Sequence, residues 1–143
     1  MSEDAQRVED FIQKHHVLSL ATSADDVLSV CSLFYVYDED TRSFIVASSE
    51  ETLHVQQIKK NATIAGNILL ETKKVGEIQG LQFSGEFKIL KNASLKKLYY
   101  KAFPYALALR PKLWQIEVNY CKLTDNSLGF GKKIILSNSH FQR

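Results

Sequence analysis

Strand-like runs in this sequence follow one another across short polar turns, and helical patterns separate them only irregularly. Parallel strands need a long crossover between each pair, whereas antiparallel strands join through short turns. A doubly wound parallel sheet is therefore excluded, and the order predicts an α+β fold, an antiparallel barrel with helices at its periphery. The predicted segments are a helix at Glu3–His15, strands at Val17–Thr22, Val27–Tyr37 and Phe44–Ala47, a helix ending at Asn61, strands at Thr63–Leu70 and Ile78–Leu90, a helix at Asn92–Phe103, a strand at Leu113–Thr124 and a short strand at Ile134–Leu136.

The longest β-like run, Val27–Tyr37, is largely apolar on both of its faces. This pattern predicts a central strand that is covered on both sides. The polar segment Asp38–Arg42 follows it and reads as a turn into Phe44–Ala47. We therefore expect the two strands to pair as an antiparallel hairpin.

Glycines and one amide interrupt the later strands. Gly80 and Gly85 lie inside Ile78–Leu90 and indicate bulges or the close approach of another backbone. Long strands with bulges are typical of a sheet that curls into a barrel. Asn67 lies inside an apolar run, and we interpret it as a hydrogen-bonded core residue in preference to a ligand contact.

Length and composition indicate one ordinary globular domain. The chain has 143 residues, of which 45% are hydrophobic and 24% charged, so we expect a single domain over residues 1–143, with an N-terminal helix in 1–15 and a flexible tail at 137–143. A net charge of +2 does not support nucleic-acid binding. No apolar stretch suggests a membrane span, and the polar N-terminal segment is not a signal peptide. Cys31 and Cys121 lack CxxC spacing, which predicts free thiols in a reducing compartment, the cytoplasm.

A strand-to-helix junction, Ser43–Asn61, carries several hydroxyl side chains. Ser48 followed by Glu51 matches a capping box, which predicts that the helix opens there. Unpaired N–H groups at such a helix start are suited to an anion, such as the phosphate of a nucleotide-like cofactor. The alternative is an ordinary capped helix, and Glu50 and Glu51 favour it because they already complement the helix dipole. The side chains beside the candidate anion site are Ser48, Ser49, Thr52 and His54.

Motifs for metal binding and nucleophilic catalysis are absent from the sequence. It contains no HExxH, no paired CxxC and no GxSxG elbow. We therefore predict no metal site and name no catalytic residue. The segment TDNSLGFGKK at Thr124–Lys133 combines glycines, an aromatic ring and two lysines, and it is suited to closing over a ligand or a partner subunit.

Three segments carry a resemblance to a known superfamily. They are LTDNSLGFGKK at Leu123–Lys133, QFSGEFKIL at Gln82–Leu90 and SEETLHVQQI at Ser49–Ile58. With them, nearly the whole chain resembles the pyridoxamine 5′-phosphate oxidase-like FMN-binding split barrels, and within these the bacterial UPF0306 or YhbP-like group. The resemblance implies a Greek-key split barrel of six or seven antiparallel strands with flanking helices. It also implies a homodimer that binds FMN in two equivalent clefts at the subunit interface.

The resemblance further implies which residues hold the FMN phosphate. In the oxidase-like pattern a strand runs into a helix through a hydroxyl residue, and a Ser-x-Lys pair binds the phosphate. Ser48 stands at the hydroxyl position with Ser49 beside it, Thr52 takes the place of the serine, and His54 takes that of the lysine. An imidazole donates to phosphate more strongly when it is protonated.

The remaining cofactor contacts implied by the resemblance come from other strands. Three residues are expected beside the isoalloxazine ring and ribityl chain: Ser32, Leu33 and Phe34. Two residues on later strands are expected to line the cleft: Gln82 and Trp114. Three residues near the C-terminal end are expected to cover the cleft or to come from the partner subunit: Phe130, Lys132 and Lys133.

The resemblance implies a flavin-dependent oxidoreductase that acts on an unknown small molecule. The oxidase itself carries a basic Arg…Lys pair on the second strand, where this chain has Val30 and Tyr35. It also has a C-terminal substrate-binding segment that this chain lacks. We therefore do not expect oxidation of pyridoxamine phosphate. The alternative is a non-enzymatic dimer that binds or senses flavin, haem or a vitamin phosphate, or one without a ligand.

Overall fold

A single antiparallel sheet of eight strands curls into a half-barrel in the described part of the chain. A computed structural model describes residues 2–137. The strands run in the order β2-β1-β5-β6-β7-β4-β3, and β8 pairs with β7. The elements are α1 Glu3–Lys14, β1 Val17–Ala24, β2 Val27–Phe34, β3 Val36–Asp38, β4 Ser43–Ala47, α2 Leu53–Lys60, β5 Thr63–Leu69, β6 Gln79–Ile89, α3 Ala93–Ala102, α4 Tyr105–Leu109, β7 Leu113–Asp125 and β8 Lys133–Ser137.

The predicted antiparallel split barrel with flanking helices is confirmed. The structure has eight strands where six or seven were expected. The predicted run Val27–Tyr37 divides at Tyr35, because residues up to Phe34 pair with β1 whereas Val36–Asp38 pairs with β4. No helix within residues 2–137 is long and apolar enough to cross a membrane.

The prediction of a central strand at Val27–Tyr37 is wrong for most of its length. β2 is at one end of the sheet and pairs only with β1, while β3 pairs with β4 at the other end, as the predicted hairpin required. Cys31 and Leu33 point inward against the core. On the opposite face Leu28 and Val30 are 82% and 73% exposed. The second apolar face of this strand is therefore open in the protomer.

Strands β6 and β7 form the longest strand pair of the barrel. They pair along almost their whole length, and the register shifts between Ser84 and Gly85. A Cβ on Gly85 would overlap the Glu117 carbonyl oxygen and lie 2.9 Å from its carbonyl carbon. The bulge predicted at Gly85 is thus confirmed, whereas Gly80 has room for a side chain, with its nearest neighbour at 3.7 Å.

One large core fills the barrel, and a second, smaller core lies under α3 and α4. Phe44 is fully buried at the centre of the large core and contacts Tyr35, Tyr37 and Phe83. The smaller core joins β4 and β7 to the two helices through residues that include Ile45, Leu95, Tyr99 and Leu113. Because β4 contributes to both cores, its end is held firmly at the point where it enters the junction before α2.

Two predicted boundaries change. Helix α2 begins at Leu53 and is capped by Thr52, whose Oγ1 accepts from the Val55 N–H at 3.4 Å. The predicted capping box at Ser48 and Glu51 is wrong, because the chain makes a further turn after β4 before it becomes helical. At the other end of the chain, Ser137 belongs to β8, and the rest of the predicted tail, 138–143, lies outside the described residues.

Candidate functional site

A histidine and two hydroxyl side chains meet at the start of α2. The His54 Nε2 atom lies 2.8 Å from the Ser48 Oγ and 3.4 Å from the Thr52 Oγ1. The Thr52 hydroxyl also donates to the Ser49 carbonyl at 2.8 Å, which closes the turn. Burial lowers the pKa of His54 below its usual value near 6.5, so the imidazole is neutral at pH 7. The side chain of Ser49 is exposed beside this cluster.

The beginning of β7 supports the junction from behind. The Ser48 N–H donates to the Lys112 carbonyl at 3.1 Å, and the Trp114 indole N–H donates to the Ser48 carbonyl at 2.8 Å. The Trp114 ring is only 4% exposed and packs against Phe87. It therefore fixes the position of Ser48 from inside the core and offers no open ring face in the protomer.

Lys112, a charged side chain next to this junction, was not identified from the sequence. Glu50 forms ion pairs with Lys112 and, at 3.4 Å, with Lys59, and these two lysines hold the pKa of Glu50 below its usual value. The Lys112 ammonium also lies 4.9 Å from the centre of the Trp114 ring. Lys112 reaches the junction only through the pairing of β4 with β7, a contact that no local sequence signal marks.

Gln57 joins α2 to the β1–β2 hairpin. Its side chain is 5% exposed, and its Oε1 accepts from the Thr22 and Ser29 hydroxyls at 2.6 Å and 2.5 Å. Its Nε2 donates to the Val27 carbonyl at 3.0 Å. A buried amide that uses both of its polar atoms fixes the helix relative to the edge strand. Helix α2, which carries His54, is therefore held at a fixed distance from strand β2, which carries Ser32.

Replacing Gln57 by leucine is expected to destabilise the protomer by about 2 kcal/mol, because the Thr22 and Ser29 hydroxyls lose their buried acceptor. Urea denaturation measures the loss, and amide hydrogen exchange in α2 should become faster. The control is Gln56→Leu at the next, exposed position, where a change within about 0.5 kcal/mol is expected. Equal losses in the two variants would contradict a specific role for the Gln57 amide.

The outer face of the sheet carries three of the candidate residues apart from this junction. Ser32, Phe34 and Gln82 all point outward, whereas Leu33 points into the core. Phe34 is half-exposed and contacts the rings of His16 and Phe103.

Asn67 also lies on the outer face, where it is exposed beside Gln82. The interpretation of Asn67 as a core residue is therefore wrong. The apolar residues around it suggested burial, but its position alternates with the inward-facing Ile68.

The last group of candidate residues lies in the connection between β7 and β8. Asp125 accepts from the Ser127 N–H and Asn126 accepts from the Gly131 N–H, each at 2.9 Å. Phe130 at the tip is 84% exposed. Lys132 and Lys133 are also exposed. Within residues 2–137, no hydrogen bond, ion pair or ring contact joins this loop to the Ser48–His54 junction.

The curled antiparallel sheet and its peripheral helices define a split-barrel fold. Two solved structures share this fold. A haem-binding protein of Mycobacterium smegmatis superposes with a TM-score of 0.79 at 11% identity, covering 99% of this chain and 60% of that one. An FAD-binding protein of Mesorhizobium loti superposes with a TM-score of 0.68 at 15% identity, covering 86% and 94%.

Sequence relatives then identify the family. A UPF0306 protein of Klebsiella pneumoniae is 40% identical over 127 residues, which is 87% of this chain and 86% of the relative. A UPF0306 protein of Photorhabdus laumondii is 33% identical over 136 residues, 93% and 95% of the two chains. The chain belongs to the UPF0306 family, which includes the YhbP proteins of Escherichia. No protein-family model matches the chain.

Proposed function

We propose that this protein binds FMN and that the junction before α2 holds the phosphate. The observation that carries the proposal is the meeting of His54 with the Ser48 and Thr52 hydroxyls at a helix start, with Nε2–Oγ distances of 2.8 Å and 3.4 Å. Hydroxyls and an imidazole are phosphate donors, and the N–H groups of the first helical turn add to them. This donor set fits a phosphate monoester. The exposed Ser49 lies next to it.

A homodimer is the proposed assembly. The outer face of β2 leaves Leu28 and Val30 largely in water, and Phe34 beside them is half-exposed. A contiguous apolar strand at the edge of a sheet is a surface that another chain normally covers. In such a dimer the cofactor clefts lie at the interface, and the exposed Phe130, Lys132 and Lys133 close them from the partner subunit.

The proposed activity is flavin-dependent oxidation or reduction of a small molecule. Bound FMN supplies hydride or electron transfer, and the protein binds the phosphate, orients the ring and excludes water. The substrate is not expected to be pyridoxamine phosphate. The second strand has exposed, apolar Val30 where the related oxidase has arginine, and Tyr35 is buried with its hydroxyl donating to the Ile12 carbonyl at 2.7 Å.

The test compares ligands that differ only in the phosphate. Wild-type protein is expected to bind FMN about tenfold or more tightly than riboflavin, because charge-assisted hydrogen bonds are lost with the phosphate. Equal affinities, or no binding of either ligand, would overturn the proposal. An absorption spectrum of the freshly purified protein shows which cofactor it carries, since a Soret band without flavin bands would favour the haem-binding alternative.

The affinity for FMN is expected to rise as pH falls from about 8 to about 6.5. Burial holds the pKa of His54 low in the free protein, and a bound phosphate dianion raises it, so binding takes up a proton. The gain levels off below the free His54 pKa, and below about pH 6 the phosphate itself becomes protonated. Fluorescence titrations at several pH values measure this dependence.

Two controls separate His54 from other titrating groups. His54→Gln should bind FMN more weakly and lose most of the rise in affinity between about pH 8 and about pH 6.5. Riboflavin, which has no phosphate, should show little pH dependence with either protein. A His54→Gln variant with the affinity and pH profile of the wild type would remove His54 from the site.

A further inference from the structure

Positive charge in this protein is concentrated in one segment. Residues 88–112 run from the end of β6 through α3 and α4 to the residue before β7. They contain seven of the chain's 18 lysine and arginine side chains and none of its 16 acidic ones. The small net charge of +2 is therefore the balance between a strongly basic segment and a net negative remainder.

Most of the basic side chains in this segment have no acidic partner. Lys88 pairs with Glu117 at 2.6 Å. Lys112 pairs with Glu50. No ion pair joins any of the other five to an acidic residue within 2–137, and all five are exposed. Clusters of this size attract anionic lipid headgroups. The five are Lys91, Lys96, Lys97, Lys101 and Arg110.

Helix α4 adds exposed apolar side chains to this segment. Its sequence is YALAL, and only Ala106 is buried, in the smaller core. Tyr105, Leu107 and Leu109 are 64%, 56% and 76% exposed. Such an apolar helix, with most of its side chains in water, indicates a surface that another body covers.

The basic and apolar parts belong to one surface element. The ring centre of Tyr105 lies 6.4 Å from that of Phe103, the residue that ends α3, and the two helices are in contact. Lys101 is in the last turn of α3, and Arg110 directly follows α4. Basic residues therefore lie both before and after the exposed apolar helix. We call α3, α4 and these exposed side chains the α3–α4 surface.

An anionic bilayer fits both properties of the α3–α4 surface. Its headgroups attract lysine and arginine, and its boundary with the acyl chains accepts leucine and tyrosine side chains. A nucleic acid would neutralise the charges but offers the leucines no apolar surface. A second copy of the same surface would cover the leucines but bring two sets of unpaired positive charges together. Binding at a bilayer surface requires no membrane-spanning segment.

We propose that the α3–α4 surface binds the headgroup region of an anionic lipid bilayer. The five unpaired basic side chains contact the headgroups, while Tyr105, Leu107 and Leu109 enter the boundary with the acyl chains. The attachment is reversible, and salt weakens it because the charges that drive it are exposed. This inference goes beyond FMN binding and does not depend on it.

Co-sedimentation with lipid vesicles tests the proposal. Each basic residue near an anionic surface strengthens binding by about fivefold. Wild-type protein is therefore expected to bind vesicles of phosphatidylglycerol and phosphatidylcholine about a hundredfold or more tightly than vesicles of phosphatidylcholine alone. High salt should remove most of this difference. Equal affinity for the two kinds of vesicle, or no binding to either, overturns the proposal.

A pair of lysine variants tests whether the charge acts locally. Lys96→Gln/Lys97→Gln should weaken binding to the anionic vesicles by about tenfold or more. Lys73→Gln/Lys74→Gln is the matched control, because it changes the net charge equally at two exposed lysines between β5 and β6. It should bind like the wild type. Equal losses in the two variants would mean that binding follows net charge and would reject the α3–α4 surface.

A second pair of variants tests the apolar contribution. Leu107→Ser/Leu109→Ser should weaken vesicle binding by about tenfold, whereas Leu69→Ser, which replaces a leucine that is 57% exposed on β5, should bind like the wild type. Unchanged vesicle binding by the double variant overturns the proposal. A smaller oligomer mass of this variant without lipid would show that a second copy covers the leucines, and tight binding to duplex DNA that the variant retains would assign the surface to nucleic acid. Either result also overturns it.

Discussion

Replacing Gly85 by alanine is expected to destabilise the protomer by about 3 kcal/mol, at the upper end of the range for overpacked sites. Gly85 sits at the bulge where the register between β6 and β7 shifts. A Cβ there would overlap the Glu117 carbonyl oxygen and come within 3.1 Å of the Val118 Cα. These are backbone atoms of the paired strand, so no side-chain rotation relieves the clash. The two longest strands of the sheet would have to separate or shift.

The measurement is the free energy of unfolding from urea titrations at matched protein concentration. Gly76→Ala is the control, because a Cβ at Gly76 meets no atom within 4 Å and its backbone is not in the left-handed region. That variant is expected to be neutral, or stabilised by up to about 1 kcal/mol through the unfolded chain. Similar losses in both variants would mean that the close approach at Gly85 does not limit stability.

The bulge at Gly85 illustrates what local sequence could predict. A glycine inside an otherwise regular strand of a curling sheet predicts a bulge or a close approach, and β6 has one at Gly85. The same signal at Gly80 corresponds to neither, since a side chain there would meet only ordinary contacts. A missing Cβ permits a close approach but does not require one. The fold class was predictable because it depends on the order of the elements and on the lengths of the turns.

The edge position of β2 could not be predicted in the same way. Apolar residues on both faces show that both faces are suited to burial, but not whether the same chain covers them. In this protomer the core covers Cys31 and Leu33, while Leu28 and Val30 remain in water. The pattern interpreted as a central strand therefore also fits an edge strand whose outer face is covered by a second copy of the chain.

The candidate site contains some residues that local sequence could indicate and others that only the whole fold brings there. Ser48, Thr52 and His54 lie within seven residues, and their meeting at 2.8 Å and 3.4 Å follows from local chain geometry. The sequence could therefore indicate them. Lys112 and Trp114 reach the same junction through the pairing of β4 with β7, which depends on the whole fold. The same limit applies to Asn67, whose place beside Gln82 is set by strand register.

Replacing Phe44 by alanine is expected to destabilise the protomer by about 3–5 kcal/mol. The ring is fully buried, and its centre lies 4.8 Å from that of Phe83 and 4.9 Å from that of Tyr35. Its removal leaves a cavity in the large core and deletes favourable aromatic pairs. Urea denaturation measures the loss. A variant that is largely unfolded without denaturant would also agree with the prediction, because the expected loss is comparable to the total stability of a small domain.

Phe130→Ala is the matched control, because the same side chain is removed at a position that is 84% exposed. The stability of the isolated protomer should change by no more than about 0.5 kcal/mol. Equal losses in the two variants would contradict the burial that the structure assigns to each ring. The measurements should be made at several protein concentrations, because a stability difference that grows with concentration reports on subunit association.

The two phenylalanine variants should also differ in how they affect FMN binding. Phe44 anchors β4 four residues before Ser48, so a loosened core lets Ser48 move away from His54, and the affinity for FMN should fall together with stability. Phe130 is expected to act only by covering the cleft, so Phe130→Ala should weaken FMN binding without destabilising the protomer. If Phe130→Ala leaves the FMN affinity unchanged, the loop between β7 and β8 does not close the cofactor cleft.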